Sequence, residues 1–294
     1  MQYKVLGKTN LKISVIGFGG IPIQRLNKDE AVKVINYAID KGINFIDSAR
    51  GYTVSESYIG QAIKEKRSQV ILASKGPATD YQGFKANIND SLTAFNTHYI
   101  DLYQVHNIKD SAAVDRVFGE GGAYSAFVEE KSKGKVNHFG LTCHKREVLQ
   151  YALDNFGDKI ETIMFPYNIV ETQGEELFAC AKQKNIGVVV MKPLAGGNLT
   201  NTDLALRFCA VNPNISVVIP GMASNDEIDG DINIDTKPLT EKEKAECKLI
   251  VSQLGSSFCR RCGYCAPCTV GIDIPTCFTF QNYLNNYSLA DWAY

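Results

Sequence analysis

The strongest constraint on the fold of this chain is an alternation of short β-rich segments with amphipathic helical segments, which begins near residue 12. The predicted strands span residues 12–18, 44–49, 70–75, 100–106, 136–142, 161–167, 186–192 and 215–221. Most of them are near-continuous apolar runs, which are typical of parallel strands buried on both faces. The order therefore predicts about eight βα units that share one parallel sheet.

The segment between the first two predicted strands illustrates the helical pattern. Asn27 and Glu30 have the spacing of a capping box, and Gly42 follows the last apolar position. The apolar positions between them recur every three or four residues, at Ala31, Val34, Ile35, Ala38 and Ile39. A stripe of this kind needs a sheet to cover, so we expect this helix to pack on the sheet.

Two α/β architectures accommodate eight such units, a closed barrel and an open doubly wound sheet. A chain of 294 residues is long enough for a single barrel. A doubly wound sheet normally carries a glycine fingerprint that leads directly into a helix, whereas Gly17, Gly19 and Gly20 are followed by no direct helix start. We therefore predict an α/β fold of the (β/α)8, or TIM-barrel, type.

Composition limits the classes of partner. The chain is 45% apolar and has a net charge of -1, so it has enough apolar residues for a large core and no basic excess to attract nucleic acid or anionic lipid. Its amino-terminal residues lack the features of a secretory signal, and no apolar run reaches membrane-spanning length. We expect a cytoplasmic protein that acts on a small molecule.

The pattern changes after about residue 238. A charged helical stretch, a cysteine-rich segment and an aromatic, Asn-rich tail follow the last βα unit. We therefore predict two parts, a barrel over residues 1–238 and an appended module over residues 239–294.

Four polar residues fall at or just after predicted strand ends, where the side chains of a barrel converge. They are Asp47, Tyr52, Lys75 and His106. A phenol is a poor acid near neutral pH unless a positive charge stabilises its phenolate, and a lysine in an apolar barrel mouth needs a carboxylate to stay charged. Together with a histidine that hydrogen-bonds a carbonyl oxygen, these residues suit proton transfer to a carbonyl as hydride arrives at its carbon.

The stretches around these residues also resemble a known family. NFIDSARGYTVSE, VILASKG, IDLYQVHN and GKVNHFGLTCH are similar, in this order, to motifs of the aldo/keto reductases, and the resemblance covers about residues 1–230. It implies a (β/α)8 barrel that uses NADPH, with a catalytic tetrad at Asp47, Tyr52, Lys75 and His106. The activity that it implies is the reduction of an aldehyde, a ketone or a related group.

The resemblance also indicates where a nicotinamide cofactor would bind. The matching positions are Gly19, Asp47, Thr142, Met191, Pro193, Leu194, Pro220 and Gly221. Several polar positions of the family are replaced here, since Cys143 stands where Asn is common and Met164 where Gln is common, and Met191 replaces an aromatic residue. After the last strand, Asp226 and Glu227 stand where the family has a basic residue for the 2′-phosphate.

Four interpretations of the cofactor site therefore remain open. The chain uses NADH in place of NADPH, binds nucleotide weakly, binds none, or holds NADPH through residues that the sequence does not identify. An acidic pair repels a phosphate or binds a ribose diol instead.

Four cysteines, Cys259, Cys262, Cys265 and Cys268, lie three residues apart. A zinc site usually takes two CxxC pairs separated by a longer stretch, whereas continuous spacing suits a 4Fe-4S cluster. Either Cys268 or Cys277 provides the fourth ligand on spacing alone. The segment resembles the ferredoxin-like carboxyl-terminal extension of an aldo/keto reductase subgroup, which favours Cys268.

The main functional prediction is thus a nicotinamide-dependent oxidoreductase that acts on a small carbonyl compound and carries an iron–sulfur cluster, either structural or electron-transferring. The alternative is an iron–sulfur protein that transfers electrons or binds a redox partner protein, with a barrel that no longer uses nicotinamide. A third interpretation links the cluster and the barrel ligand by electron transfer.

Overall fold

The computed structural model describes residues 1–254, 259, 265 and 268–285. Ten strands are present in this part of the chain. They are β1 (Tyr3–Val5), β2 (Lys12–Ser14), β3 (Phe18–Gly19), β4 (Phe45–Asp47), β5 (Ile71–Gly76), β6 (Ile100–Val105), β7 (Val136–Thr142), β8 (Thr162–Pro166), β9 (Gly187–Met191) and β10 (Val217–Ile219).

Strands β3 to β10 form one parallel eight-stranded sheet in sequence order. The sheet closes on itself, because Ile16 bridges to Val218 and Gly19 bridges to Gly221 in parallel fashion. The Gly19 N–H donates to Pro220 O at 2.8 Å across this seam. The predicted (β/α)8 barrel is therefore confirmed, and the open doubly wound sheet is excluded.

Helices follow the barrel strands and cover the outside of the sheet. They are α1 (Lys28–Asp40), α2 (Ser55–Ala62), α3 (Tyr81–Phe95), α4 (Ser111–Phe118), α5 (Ala123–Ser132), α6 (Arg146–Phe156), α7 (Glu175–Gln183), α8 (Thr202–Ala210), α9 (Asn225–Ile232), α10 (Glu241–Leu254) and α11 (Ile274–Asn285). The predicted capping box of α1 is present, with Asn27 and Glu30 each accepting from the other's backbone N–H. None of the described helices has the length and apolar character needed to cross a membrane.

The first predicted strand, 12–18, differs from the structure. Lys12–Ser14 pairs antiparallel with β1 as a hairpin, and only Phe18–Gly19 belongs to the barrel. Leu6 and Ile13, both with no exposed surface, join the apolar cluster inside the barrel. The predicted strand is therefore divided in two. Its first half, Lys12–Ser14, belongs to the hairpin that closes one end of the barrel, and its last residue, Phe18, begins the parallel sheet.

The described part of the predicted carboxyl-terminal module begins with α10, which packs on the barrel. Cys247 is buried in a small cluster with Ile169, Val170, Ala195, Leu199, Leu204 and Ala205. Glu243 also pairs with Arg207 of α8. These contacts attach α10 to α8 and to the loops at the carboxyl ends of β8 and β9, on the side of the barrel where the cavity lies.

Candidate active site

A cavity of about 370 Å³ opens at the carboxyl ends of the barrel strands. Three of the four residues predicted as a catalytic set, Asp47, Tyr52 and His106, line it directly. The fourth, Lys75, lies one layer deeper and contacts Asp47. The structure thus brings all four predicted residues together, at positions 47, 52, 75 and 106, although they come from three different strands and their loops.

Lys75 and Asp47 form a buried ion pair. Their exposed fractions are 1% and 2%, and Lys75 Nζ donates to Asp47 Oδ2 at 2.5 Å and to the Ser48 carbonyl at 2.7 Å. Burial raises the pKa of Asp47, and the Lys75 ammonium opposes that rise. Each charge is therefore the partner that offsets the cost of burying the other.

Tyr52 lies between this ion pair and His106. Lys75 Nζ is 5.0 Å from the centroid of the Tyr52 ring, and the rings of Tyr52 and His106 are 6.1 Å apart, edge to face. The aromatic ring of Tyr52 is therefore held next to a fixed positive charge. A cation in this position is what general acid catalysis by a phenol requires.

The loop that carries Tyr52 is held by a buried polar network beneath it. Glu56, 2% exposed, accepts from Ser74 Oγ at 2.6 Å and pairs with Arg50. A second contact links Ser55 Oγ to the Gly20 carbonyl at 2.8 Å. Because these groups are buried and hydrogen-bonded, the turn from Asp47 to Ser55 has little freedom to move Tyr52 away from Lys75.

His106 is neutral in this environment. Burial, followed by the charges of Lys75 and Lys109, lowers the pKa of His106 to about 3. A neutral imidazole has one N–H donor and one acceptor nitrogen, so it can hydrogen-bond a carbonyl oxygen without adding a second cation beside Lys75.

We expect the ring of His106 to stay uncharged from pH 8 down to pH 5. Its folded pKa lies below its unfolded value of 6.5, so the stability that the neutral ring contributes is complete above pH 6.5 and falls as the pH drops from 6.5 towards 3. The measurement is the pH titration of histidine ring protons by NMR, with the His106→Gln spectrum used for assignment. A ring signal of His106 that titrates near pH 6.5 would contradict the prediction that this ring stays uncharged in the folded protein.

Most of the residues predicted to contact the cofactor line the same cavity. Gly19, Asp47, Met191, Pro193, Leu194, Pro220 and Gly221 are all part of its wall. A Cβ on Gly19 would lie 2.6 Å from Pro220 O, and a Cβ on Gly221 would lie 2.6 Å from Pro22 Cγ. Gly19 lies where the first and last strands approach at the seam, whereas Gly221 lies against the ring of Pro22 in the short helix after β3.

Thr142 is the exception among the predicted cofactor residues. It is 2% exposed, its hydroxyl accepts from Asn107 N at 2.7 Å, and it is not among the described residues that form the cavity wall. The neighbouring Cys143 donates its thiol to the Ile108 carbonyl at 2.9 Å, and burial raises its pKa to about 11. In this structure both side chains support the loop after β6 instead of facing the cavity.

Two cations that the sequence did not reveal also line the cavity. Arg25, from the short helix after β3, pairs with Glu227 at 3.2 Å, and Lys192 follows β9. Arg25 and Glu227 are about 200 residues apart, so no local pattern signals their proximity. The segment that carries Lys192 has an unusual backbone. Left-handed φ angles of 50° to 87° occur at four residues that line the cavity, Lys192, Ala195, Gly196 and Gly197.

Of the four predicted cluster ligands, Cys262 lies outside the described residues. Cys259, Cys265 and Cys268 are free and partly buried, and Cys277 is exposed on α11. Within the described ranges, no three His, Cys, Asp or Glu side chains are gathered closely enough to hold a metal ion. Hydrogen bonds from the backbone N–H groups of Val270 and Ile272 lower the pKa of the Cys268 thiol.

Comparison with known proteins agrees with this architecture. L-galactose dehydrogenase of Arabidopsis thaliana is 26% identical over 281 residues, which cover 79% of this chain and 87% of the plant protein. The holo form of aldo-keto reductase AKR11C1 from Bacillus halodurans has a TM-score of 0.74 at 24% identity, covering 85% of this chain and 96% of the other. An aldo/keto reductase from Klebsiella pneumoniae, in complex with NADP and acetate, has a TM-score of 0.73 at 22% identity, covering 85% and 95%.

The two solved structures are less than 25% identical to this chain, so they establish only the shared fold. The sequence match to the aldo/keto reductase family extends over residues 15–204, which is more than half of the chain. It includes all four residues of the Asp47, Tyr52, Lys75 and His106 set. This chain is therefore an oxidoreductase that belongs to the aldo/keto reductase family.

Proposed function

We propose that this chain reduces the carbonyl group of a small molecule with a reduced nicotinamide dinucleotide. The observation that carries the proposal is the buried Lys75–Asp47 ion pair directly beneath Tyr52. A buried ion pair is a weak source of stability, because the desolvation of two charges offsets their attraction. Its position next to a phenol and a neutral imidazole instead supports a role in proton transfer.

Each residue then has a definite role. When bound, the reduced nicotinamide supplies hydride to the carbonyl carbon. Tyr52 donates the proton to the carbonyl oxygen, and Lys75 stabilises the phenolate that remains. Asp47 keeps Lys75 charged, and the neutral ring of His106 orients the carbonyl oxygen through a hydrogen bond.

The groove beside these residues suits a dinucleotide. Gly19, Gly196, Gly197 and Gly221 all line the cavity, and the absence of side chains there permits the close approach of a ligand. Lys192 lines the same groove and provides positive charge for a pyrophosphate. The Klebsiella relative, whose structure holds NADP, supports this use of the cavity.

We further propose that NADH is preferred over NADPH. Glu227 neutralises Arg25 at 3.2 Å, and its carboxylate would accept both hydroxyl groups of an adenosine ribose while repelling a 2′-phosphate. The preference depends on the ion pair between Glu227 and Arg25, which a single substitution can remove.

Substituting Glu227→Gln should release Arg25 and increase the affinity for NADPH relative to NADH by about tenfold, the effect of removing one charge-assisted contact of roughly 1.4 kcal/mol. Fluorescence titration with both nucleotides measures the two dissociation constants. Asp226→Asn is the matched control, because residue 226 is exposed and does not line the cavity. An unchanged ratio of affinities in Glu227→Gln would exclude this role for Glu227.

The test of the main proposal is nucleotide binding followed by turnover. Wild-type protein purified without oxygen should bind NADH or NADPH and should oxidise it in the presence of a panel of aldehydes and ketones. If neither nucleotide binds, the enzymatic proposal fails, and the alternative of an electron-transfer or partner-binding protein takes its place.

We also propose that residues 239–294 form an appended module that carries a 4Fe-4S cluster on Cys259, Cys262, Cys265 and Cys268. The support is the three-residue spacing of these cysteines, which places thiolates on one short looping segment. Iron and acid-labile sulfide analysis after anaerobic purification should give about four of each per chain. Cys268→Ser should lower that content, whereas Cys277→Ser should leave it unchanged, and the reverse result would make Cys277 the fourth ligand.

A further inference from the structure

One face of α11 forms part of the wall of the active-site cavity. Thr279, Asn282 and Tyr283, which are spaced three and four residues apart, line the same space as Tyr52 and His106. The opposite face of the helix is exposed to solvent, as at Phe280, Gln281, Leu284 and Asn285. This helix lies beyond residue 204, where the family match ends, so the match assigns it no role.

The rest of the cavity wall is poor in neutral hydrogen-bonding side chains. Met164 and Met191 line it from β8 and β9 with thioethers, which are weak acceptors and no donors. Tyr52 and His106 are needed at the carbonyl that is reduced. To this set His144 adds an imidazole, and α11 adds the hydroxyl of Thr279, the amide of Asn282 and the phenol of Tyr283.

A bound nicotinamide presents a primary carboxamide, which has two N–H donors and one acceptor oxygen. An asparagine side chain has the same groups in the same planar arrangement, so two amides can pair with each other. The flat pyridine ring in turn packs well against an aromatic side chain. Asn282 and Tyr283 are adjacent on α11 and provide one group of each kind.

We infer that α11 is part of the nucleotide site, with Asn282 hydrogen-bonding the nicotinamide carboxamide and Tyr283 covering the nicotinamide ring. The inference rests on the proposed use of a nicotinamide nucleotide. Burial raises the pKa of Tyr283, which indicates that its phenol already lies in a partly desolvated position. The described side chains of α11 include none that is fully buried, so only partly buried contacts hold the helix beside the cavity.

The decisive test compares reduced nicotinamide dinucleotide with its 3-acetylpyridine analogue, in which a methyl group replaces the amide nitrogen. Wild-type protein should bind the nicotinamide form about tenfold more tightly, because the analogue has lost both N–H donors. Asn282→Ala should bring the ratio of the two dissociation constants close to one. Asn285→Ala, on the exposed face of the same helix, should keep the wild-type ratio.

Tyr283 is tested by a second pair of variants. Tyr283→Ala should release nucleotide about tenfold faster in stopped-flow fluorescence, whereas Tyr283→Phe, which keeps the ring, should release it at close to the wild-type rate. Phe280→Ala is the control on the exposed face, and thermal melting of each variant checks that it is folded.

The outcomes separate this inference from the proposed function. If wild-type protein binds no nicotinamide nucleotide, both fail. If wild-type protein binds nucleotide but Asn282→Ala keeps the preference for the carboxamide, or Tyr283→Ala releases nucleotide no faster than wild type, the role of α11 is wrong and the enzymatic proposal stands.

Discussion

Replacing Tyr52 by Phe should lower kcat for carbonyl reduction by about 10²- to 10⁴-fold, which is the usual contribution of a positioned general acid. The substitution removes only the hydroxyl, so the ring should keep its place between Lys75 and His106. Nucleotide affinity should change little, because the loss falls on proton transfer. Steady-state turnover and nucleotide titration on the same preparation measure the two effects separately.

Tyr58→Phe is the matched control for this prediction. Tyr58 is also half-buried and lies six residues further along the chain, on α2, but it does not line the cavity. Its variant should turn over at the wild-type rate. Equal activity of Tyr52→Phe and wild type would show that another group protonates the substrate.

Replacing Lys75 by Met should remove activity and also destabilise the fold, because it leaves Asp47 buried without its partner. Breaking a buried ion pair at one partner costs about 3–5 kcal/mol. Burial alone then raises the pKa of Asp47, so the carboxyl takes up a proton in the folded state. The loss of stability should therefore be small near pH 4 and should grow as the pH rises to 8, which denaturant unfolding at both pH values measures.

The double variant Asp47→Asn with Lys75→Met separates stability from catalysis. It removes the unpaired carboxylate, so most of the stability should return, and the extra pH dependence that Lys75→Met introduces should disappear. Activity should not return, because Tyr52 still lacks the neighbouring ammonium. A double variant that is as unstable at pH 8 as Lys75→Met alone would show that the ion pair is not the source of the penalty.

The parts of this molecule that the sequence predicted are those with a local physical signature. The strands from β4 to β10 are apolar runs, and the Asn27–Glu30 capping box indicates the start of α1. Asp47, Tyr52, Lys75 and His106 were predictable because strand ends converge in a barrel and because their chemistry is mutually dependent. Each of these signals lies within a few residues of the feature that it predicts.

The features that the sequence did not reveal depend on contacts between distant segments. Arg25 meets Glu227 across the cavity, and α11 returns to a site built mainly from residues before 222. The sequence of α11, IPTCFTFQNYLN, has aromatic residues on all sides and therefore no stripe that marks its inner face. Thr142 shows the opposite case, since matching the family's motif does not make its hydroxyl face the cavity.

The seam that joins Ile16 to Val218 has a consequence for biosynthesis. The barrel cannot close until residue 221 has left the ribosome, because Gly221 supplies the last bridge to Gly19. Until then the nascent chain exposes the edges of β3 and of its growing last strand, and such long-range closure is slow and prone to aggregation. Lys75 and Asp47 are separated by only 28 residues, so they can form their ion pair early. The cavity beside them is completed only near the end of translation, because residues up to Tyr283 line it.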